Sequence, residues 1–272
     1  MKRFAARRPI LALLTLLLGI AGLFAWLVGR EVRREKLNQQ LIAAILREDT
    51  DTALEALKQG ADGNARNEKQ TVPAWKVLWN RIRGHPPAPS TAPTALMLAF
   101  RGNFIGQGEE VNPGENPLLI DALLEHGAQP NVQDADGYTP LACAIKVGNN
   151  AVLRLLLEHG VNVLQSGSQM DTPLVEAAAS PAIDADIVER MLEHGANPDG
   201  PGTNKDTPLE WAIFTGSPDK VRLLLRYHAN PTIRMRALSP SHTVLSFAET
   251  NADSDPDMRE IVRMLKNAGA GK

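Results

Sequence analysis

The chain has 272 residues, 43% of them hydrophobic and 22% charged, which excludes a largely disordered protein. Aromatic residues make up only 4%, so the core must be aliphatic, and the single Cys143 excludes a disulfide framework and a cysteine-built zinc site. The formal net charge of −2 hides an asymmetry, because residues 1–36 carry +6 and the remainder carries −8. An acidic body argues against nucleic acid as the partner.

An uncharged, apolar stretch runs from Ile10 to Val28. As a helix it extends about 28 Å, close to the ~30 Å hydrocarbon core of a bilayer. A cleaved signal peptide usually has a shorter apolar region and a small-residue cleavage site, which is absent here. The sequence therefore predicts a single-pass membrane protein, with a basic tail at 1–9, a transmembrane helix at 10–29 and a juxtamembrane linker at 30–36. The bases in front of the span favour an extracytoplasmic body.

Two short motifs recur in phase along the body. Thr-Pro-Leu begins at Thr139, Thr172 and Thr207. Leu-Glu-His-Gly ends at Gly127, Gly160 and Gly195, with the same offsets of 33 and 35 residues. Threonine is a good helix N-cap, proline suits the first helical position, and glycine takes the left-handed turn that ends a helix. Each unit is thus predicted to be two short antiparallel helices joined to the next unit by a polar loop.

These motifs resemble the ankyrin repeat, whose pattern is Gly-x-Thr-Pro-Leu-His-x-Ala-Ala followed by Leu-Leu-x-x-Gly-Ala-x-x-Asn. Gly137–Leu141 and Leu156–Asn162 carry the match most clearly. The histidine that follows leucine in the family is replaced by Ala142, Val175 and Glu210. The resemblance implies an all-α ankyrin-repeat solenoid of about six helix-pair repeats over residues 37–270, preceded by the predicted transmembrane helix.

Two insertions interrupt the period, near 66–90 and 102–116. In the first, Trp75, Leu78, Trp79 and Ile82 have the i, i+3, i+4, i+7 spacing of one helical face. This helix either packs on the solenoid as a lid, lies on a membrane surface, or forms a hot spot for a partner. The predicted membrane-contact residues are Trp75, Lys76, Trp79, Arg81 and Arg83.

The resemblance also implies where a protein partner binds, since ankyrin arrays use their concave face and loop tips. Carried over by motif position, the predicted partner-binding residues are Asp136, Tyr138, Lys146, Asp171, Glu176, Lys205, Asp206, Trp211 and Phe214. Trp211 and Phe214 are three residues apart and share a helix face, either as an exposed anchor or buried against the next repeat. The acidic tips, which include Asp134, either steer a basic partner or are ordinary turn residues.

An enzyme is disfavoured by the same geometry. His126, His159 and His194 recur at equivalent positions, yet neighbouring helices lie 8–10 Å apart, whereas each ligand of a zinc ion lies about 2.1 Å from it. They are expected to be helix-end residues near carbonyl groups. The sequence therefore predicts a non-enzymatic module that binds another protein, without a cofactor, metal or small-molecule substrate. The alternatives are a structural protein whose Trp75–Arg83 helix contacts lipid, and a hydrolase.

Overall fold

The computed structural model describes residues 7–68, 76, 79–80, 83–84, 92–101, 117–133, 137–166, 171–235 and 242–271, with side chains from residue 16 onward. Within these ranges the chain forms helices in six consecutive pairs. The pairs are α1 Arg7–Leu46 and α2 Thr50–Lys58, α3 Ala95–Arg101 and α4 Pro117–Glu125, α5 Pro140–Val147 and α6 Asn150–Glu158, α7 Pro173–Ala179 and α8 Ala185–Glu193, α9 Pro208–Phe214 and α10 Pro218–Arg226, and α11 Val244–Asn251 and α12 Pro256–Asn267.

The helices stack in two rows. The first helices of the pairs, α1, α3, α5, α7, α9 and α11, contact one another in chain order, and the second helices do the same. One continuous aliphatic core runs between the rows from Leu37 to Ala270. The predicted all-α array of helix pairs is confirmed. We call the exposed side chains of α3, α5, α7, α9 and α11, with the loop residues just before these helices, the first-helix face.

The predicted helix caps are confirmed at each Thr-Pro-Leu motif. The hydroxyls of Thr139, Thr172 and Thr207 each accept a hydrogen bond from the backbone N–H three residues later, and proline occupies the first turn of the helix. Thr243 caps α11 in the same way, with Ser246 completing a capping box. These caps fix the start of each first helix and therefore the register of the first-helix face.

Two asparagine side chains and one aspartate side chain link the loops of successive repeats. Asn64 accepts a hydrogen bond from the backbone N–H of Gln129 at 2.7 Å and donates to the carbonyl of Gly127 at 2.5 Å. Asn131 makes the equivalent pair of bonds to the next loop, and Asp199 accepts one from the loop of the repeat that follows it. We call these three residues the loop ladder. It connects neighbouring loops in a chain that lacks the family's usual histidine.

The predicted transmembrane helix at 10–29 is wrong, and with it the single-pass membrane localisation. No helix of the described residues is both long and apolar enough to cross a bilayer. The predicted span lies within α1, which is helical from Arg7 to Leu46. Beyond the predicted span, α1 continues unbroken through the charged stretch 30–36 and ends inside the first repeat, where Leu41 and Ile45 are buried.

Glycine at the end of the second helices adopts the left-handed conformation that the sequence predicts. Gly127, Gly160 and Gly195 have φ between 72° and 90°. His228 takes the same place after α10 and has a φ of 68°, which L-residues adopt only with strain. Its side chain is exposed. A mild strain is therefore stored at this helix end.

Replacing His228 with glycine should raise the free energy of unfolding by about 0.5–1 kcal/mol, because glycine carries no penalty at positive φ. Urea denaturation followed by circular dichroism measures the change. The reciprocal variant Gly195→His, at the equivalent helix end one repeat earlier, should lose about 1 kcal/mol. Equal stability of wild type and His228→Gly would show that the backbone relaxes without strain.

Candidate partner-binding surface

Three aromatic side chains meet on the first-helix face near the C-terminal end of the array. Trp211 and Phe214 on α9 contact edge to face, with ring centroids 5.8 Å apart. Phe247 on α11 lies 6.1 Å from Phe214. Phe214 is 44% exposed, and the other two rings are half-buried. We call these residues the aromatic cluster, and it forms a partly exposed apolar surface of the kind that protein interfaces favour.

A buried carboxylate positions the tryptophan. Asp206 lies one residue before the N-cap of α9, is fully buried, and accepts a hydrogen bond from the indole N–H of Trp211 through Oδ2. Its other oxygen, Oδ1, has no hydrogen-bond partner among the described residues. A hydrogen bond to a charged group is stronger than a neutral one, so Asp206 fixes the orientation of the ring.

A second carboxylate lies next to Asp206. Asp171 Oδ1 accepts hydrogen bonds from the backbone N–H of Thr203 at 2.6 Å and from its hydroxyl at 2.7 Å. A Cβ on Gly202 would meet Asp171 Oδ1 at 2.7 Å and Asp206 Oδ1 closer still. The two carboxylates therefore flank Gly202, and the loop before α9 needs a residue without a side chain there.

Glu176 adds a third carboxylate on α7, at the position equivalent to Trp211 one repeat earlier. Its Oε2 is buried and lacks a hydrogen-bond partner in the described part of the chain. Burial raises the pKa of Glu176 to about 7, with Asp171 raising it further and Lys146 lowering it. Near neutral pH, Glu176 is thus partly charged. We call Asp171, Glu176 and Asp206 the acidic cluster.

Glu176→Gln should make the free energy of unfolding less dependent on pH between about 4.5 and 7. The folded state has the higher pKa, so it binds more protons than the unfolded state in this window, and wild-type stability falls as pH rises through it. At pH 8 the variant should be more stable by about 1 kcal/mol, since solvent screens part of the cost at this half-buried site. At pH 4 the two should be equal. Thermal melts at both pH values test this.

Tyr138 and Lys146 form a compact pair on the first-helix face. The Lys146 ammonium donates to the Tyr138 hydroxyl at 2.9 Å and lies 4.4 Å from the ring centroid, in cation–π geometry. Tyr138 lies just before α5 and Lys146 lies in its last turn. The charge of Lys146 also lowers the pKa of Glu176. The pair places one positive charge at the border of the acidic cluster.

The remaining predicted contact residues are dispersed. Lys205 is exposed at the loop tip before α9, with a φ of 62°. Asp136, Asp134, Trp75 and Arg81 lie outside the described residues, as do most of the 66–90 and all of the 102–116 insertion. Of the predicted membrane-contact residues, Lys76, Trp79 and Arg83 are described and exposed, with the Arg83 guanidinium 4.7 Å from the Trp79 ring. The predicted contact of this helix with a membrane stays a prediction that the described residues do not test.

The recurring histidines are helix-end residues, as expected. His126 and His194 each place Nδ1 2.7 Å from the carbonyl four residues earlier, and His159 lies 3.6 Å from the Asp121 carboxylate. In the described part of the chain, no group of histidine, cysteine, aspartate and glutamate residues could hold a metal ion.

Phe247 was missed by sequence reasoning. It occupies the Trp211 position of the next repeat, but the motif there reads Thr243-Val244-Leu245 instead of Thr-Pro-Leu. The structure also buries Asp206, which the motif position presents as a loop tip. Its distance from Thr243 could have indicated it, because Phe247 follows Thr243 by four residues just as Trp211 follows Thr207.

The family model of ankyrin repeats in three copies matches residues 41–166, 111–200 and 163–235. The chain belongs to the ankyrin repeat family. Ankyrin repeats are protein–protein interaction modules, and the fold is generally non-enzymatic. A crystal structure of an ankyrin repeat domain from Acinetobacter baumannii AYE is similar, with 26% identity and a TM-score of 0.60 over 85% of this chain and 97% of that one.

Curated relatives match shorter segments. The ADP-ribosylation factor GTPase-activating protein AGD2 of Arabidopsis thaliana is 44% identical over 45 residues, which are 16% of this chain and 6% of AGD2. An ankyrin repeat-containing protein of Schizosaccharomyces pombe is 35% identical over 57 residues, 20% of this chain and 28% of that protein. The chain thus spans under a third of the length of these relatives.

Proposed function

We propose that this chain binds a protein partner on the first-helix face, which would be the concave side of the solenoid, with the aromatic cluster as the anchor. The observation that carries the proposal is the exposure of Phe214 beside Trp211 and Phe247. A single exposed apolar residue is ordinary, but three contacting rings, with Trp211 held by a part-buried hydrogen bond, are pre-organised for binding.

The other candidate contact residues surround this anchor. Tyr138, Lys146 and Glu176 extend the surface towards the N-terminal repeats, and Lys205 lies at the adjacent loop tip. Asp206 is buried, so we assign it to positioning Trp211 instead of touching the partner. Asp171 supports the same loop through Thr203. The proposed mechanism is surface complementarity without chemical conversion of the partner.

Crosslinking pull-downs with wild type, Trp211→Ala/Phe214→Ala and Leu118→Ala test the proposal. Leu118 on α4 is 71% exposed and belongs to the second-helix row, so its variant removes an exposed apolar side chain elsewhere. We expect the double variant to lose most of the captured partner and Leu118→Ala to retain it, because truncating interface hot spots costs 2 kcal/mol or more. Equal capture by all three proteins would place the contact surface elsewhere.

A further inference from the structure

We propose that the aromatic and acidic clusters together bind a basic side chain, arginine or lysine, of the partner protein. This inference deepens the proposed function and rests on it. The site is the surface between α7 and α9, with Glu176 on one side and Trp211 and Phe214 on the other. Its occupant is a positively charged segment of a polypeptide.

The spacing of the helices suits a single cation. Helices α7 and α9 pack directly against each other, and packed helices lie about 8–10 Å apart. A cation interacts with an aromatic face within about 6 Å of the ring centroid, and with a carboxylate within about 4 Å. A guanidinium or ammonium group between the two helices therefore reaches both the Glu176 carboxylate and the aromatic cluster.

The negative charge at this place is only partly compensated. Among the described residues, Glu176 forms no ion pair, and Lys146, whose charge lowers the pKa of Glu176, is held by the hydroxyl and ring of Tyr138. The second helices differ, because their acids meet arginines. There Arg154 pairs with Asp184 and Asp186, Arg222 with Glu260, and Arg226 with Glu189.

Two carboxylates of the acidic cluster each have a buried oxygen without a hydrogen-bond partner among the described residues. These oxygens are Glu176 Oε2 and Asp206 Oδ1. A buried carboxylate oxygen costs free energy unless a donor satisfies it. Asp206 also places its charge at the edge of the Trp211 indole, which strengthens the negative potential of the ring face towards a cation. A cationic side chain from a partner would relieve this cost at Glu176, whereas Asp206 is fully buried and acts through Trp211.

Fluorescence anisotropy of labelled hexa-arginine with the full chain, at low and at physiological salt, tests the inference. Hexa-citrulline is the matched probe, because citrulline keeps the shape of arginine without its charge. We expect hexa-arginine to bind, hexa-citrulline to bind at least tenfold more weakly, and salt to weaken the binding. Absence of hexa-arginine binding, or equal binding of hexa-citrulline, would overturn the inference.

Three variants locate the site. Glu176→Gln removes its carboxylate charge and should weaken hexa-arginine binding at least fivefold. Phe214→Leu keeps the apolar volume without the ring face and should weaken it about threefold. Glu193→Gln removes the same charge from an exposed residue of α8 and should leave binding unchanged, which separates the site from the general attraction of an acidic body. Thermal melts verify that each variant is folded.

The variants also separate this inference from the proposed function. Equal hexa-arginine binding by wild type, Glu176→Gln and Phe214→Leu, or an equal loss with Glu193→Gln, would overturn the basic occupant. If Trp211→Ala/Phe214→Ala still abolished capture of the partner in that case, the first-helix face would stand as the contact surface. Unchanged capture would overturn the proposed function itself.

Discussion

Replacing Gly63 with alanine is expected to lower the free energy of unfolding by about 2–3 kcal/mol. Gly63 lies in the loop after α2, and a Cβ there would come within 2.8 Å of three backbone atoms of the next repeat, namely Leu123 O, His126 O and Ala128 N. Backbone atoms at a helix end cannot rotate away as a side chain does. The added methyl group would therefore separate the first repeat from α4.

Gly29→Ala is the matched control. Gly29 lies inside α1, and a Cβ there would meet no atom within 4 Å, so alanine should leave stability unchanged or raise it by up to about 1 kcal/mol through helix propensity. Chemical denaturation of both variants gives the comparison. If Gly63→Ala unfolds at the same denaturant concentration as wild type, the loop shifts freely and the close approach is not a constraint.

Lys220→Met should destabilise the protein by about 2 kcal/mol at pH 7, which is the second large effect. Lys220 on α10 is buried, and its ammonium donates to the carbonyls of Ala177 at 3.0 Å and Ser180 at 2.6 Å, at the C-terminal end of α7. Helix α5 ends at Gly148, which is left-handed, whereas α7 ends at Ser180, whose backbone is extended. Lysine replaces the glycine cap, and a cation is favourable at this end of a helix.

The pH dependence gives this prediction a second readout. Burial lowers the pKa of Lys220 to about 8, below that of the unfolded chain. Between pH 8 and 10.5 the unfolded state therefore binds more protons, and wild-type stability should rise with pH relative to the methionine variant. The control, Lys266→Met, removes an exposed lysine that pairs with Glu249 at 2.8 Å, and should change stability by at most about 0.5 kcal/mol. Equal losses from both variants would contradict the capping role.

The repeat architecture was predictable because its signals are local. A threonine N-cap, a proline in the first turn and a glycine at the helix end act within one helix, so the recurrence of Thr139, Thr172 and Thr207 defined the helix pairs. The offset of 35 residues was visible in the sequence too. The two residues that this repeat has in addition lie between α7 and α8, in the connection whose Ser180 carbonyl accepts a hydrogen bond from Lys220.

Features that depend on contacts between repeats were not predictable. Lys220 bonds to carbonyls 43 and 40 residues away, and nothing in its own helix indicates this. The next two repeats have Pro130 and Val163 at the position equivalent to Gly63. The motif therefore gives no sign that the first repeat needs glycine there. The predicted transmembrane helix was wrong because no helix of the described residues is both long and apolar enough to cross a bilayer. Of the 40 residues of α1, the last 17, residues 30–46, belong to the charged stretch and the first repeat.

The loop ladder gives the array a polarity. In each rung the side chain belongs to the earlier repeat, whereas the N–H or carbonyl that it meets belongs to the backbone of the later one. Of the groups in the loop ladder, removing a repeat from the C-terminal end exposes only a side-chain amide or carboxylate, which water solvates easily. Removing one from the N-terminal end exposes main-chain groups in the next loop. Fraying should accordingly be easier to tolerate at the α12 end than at the α1 end.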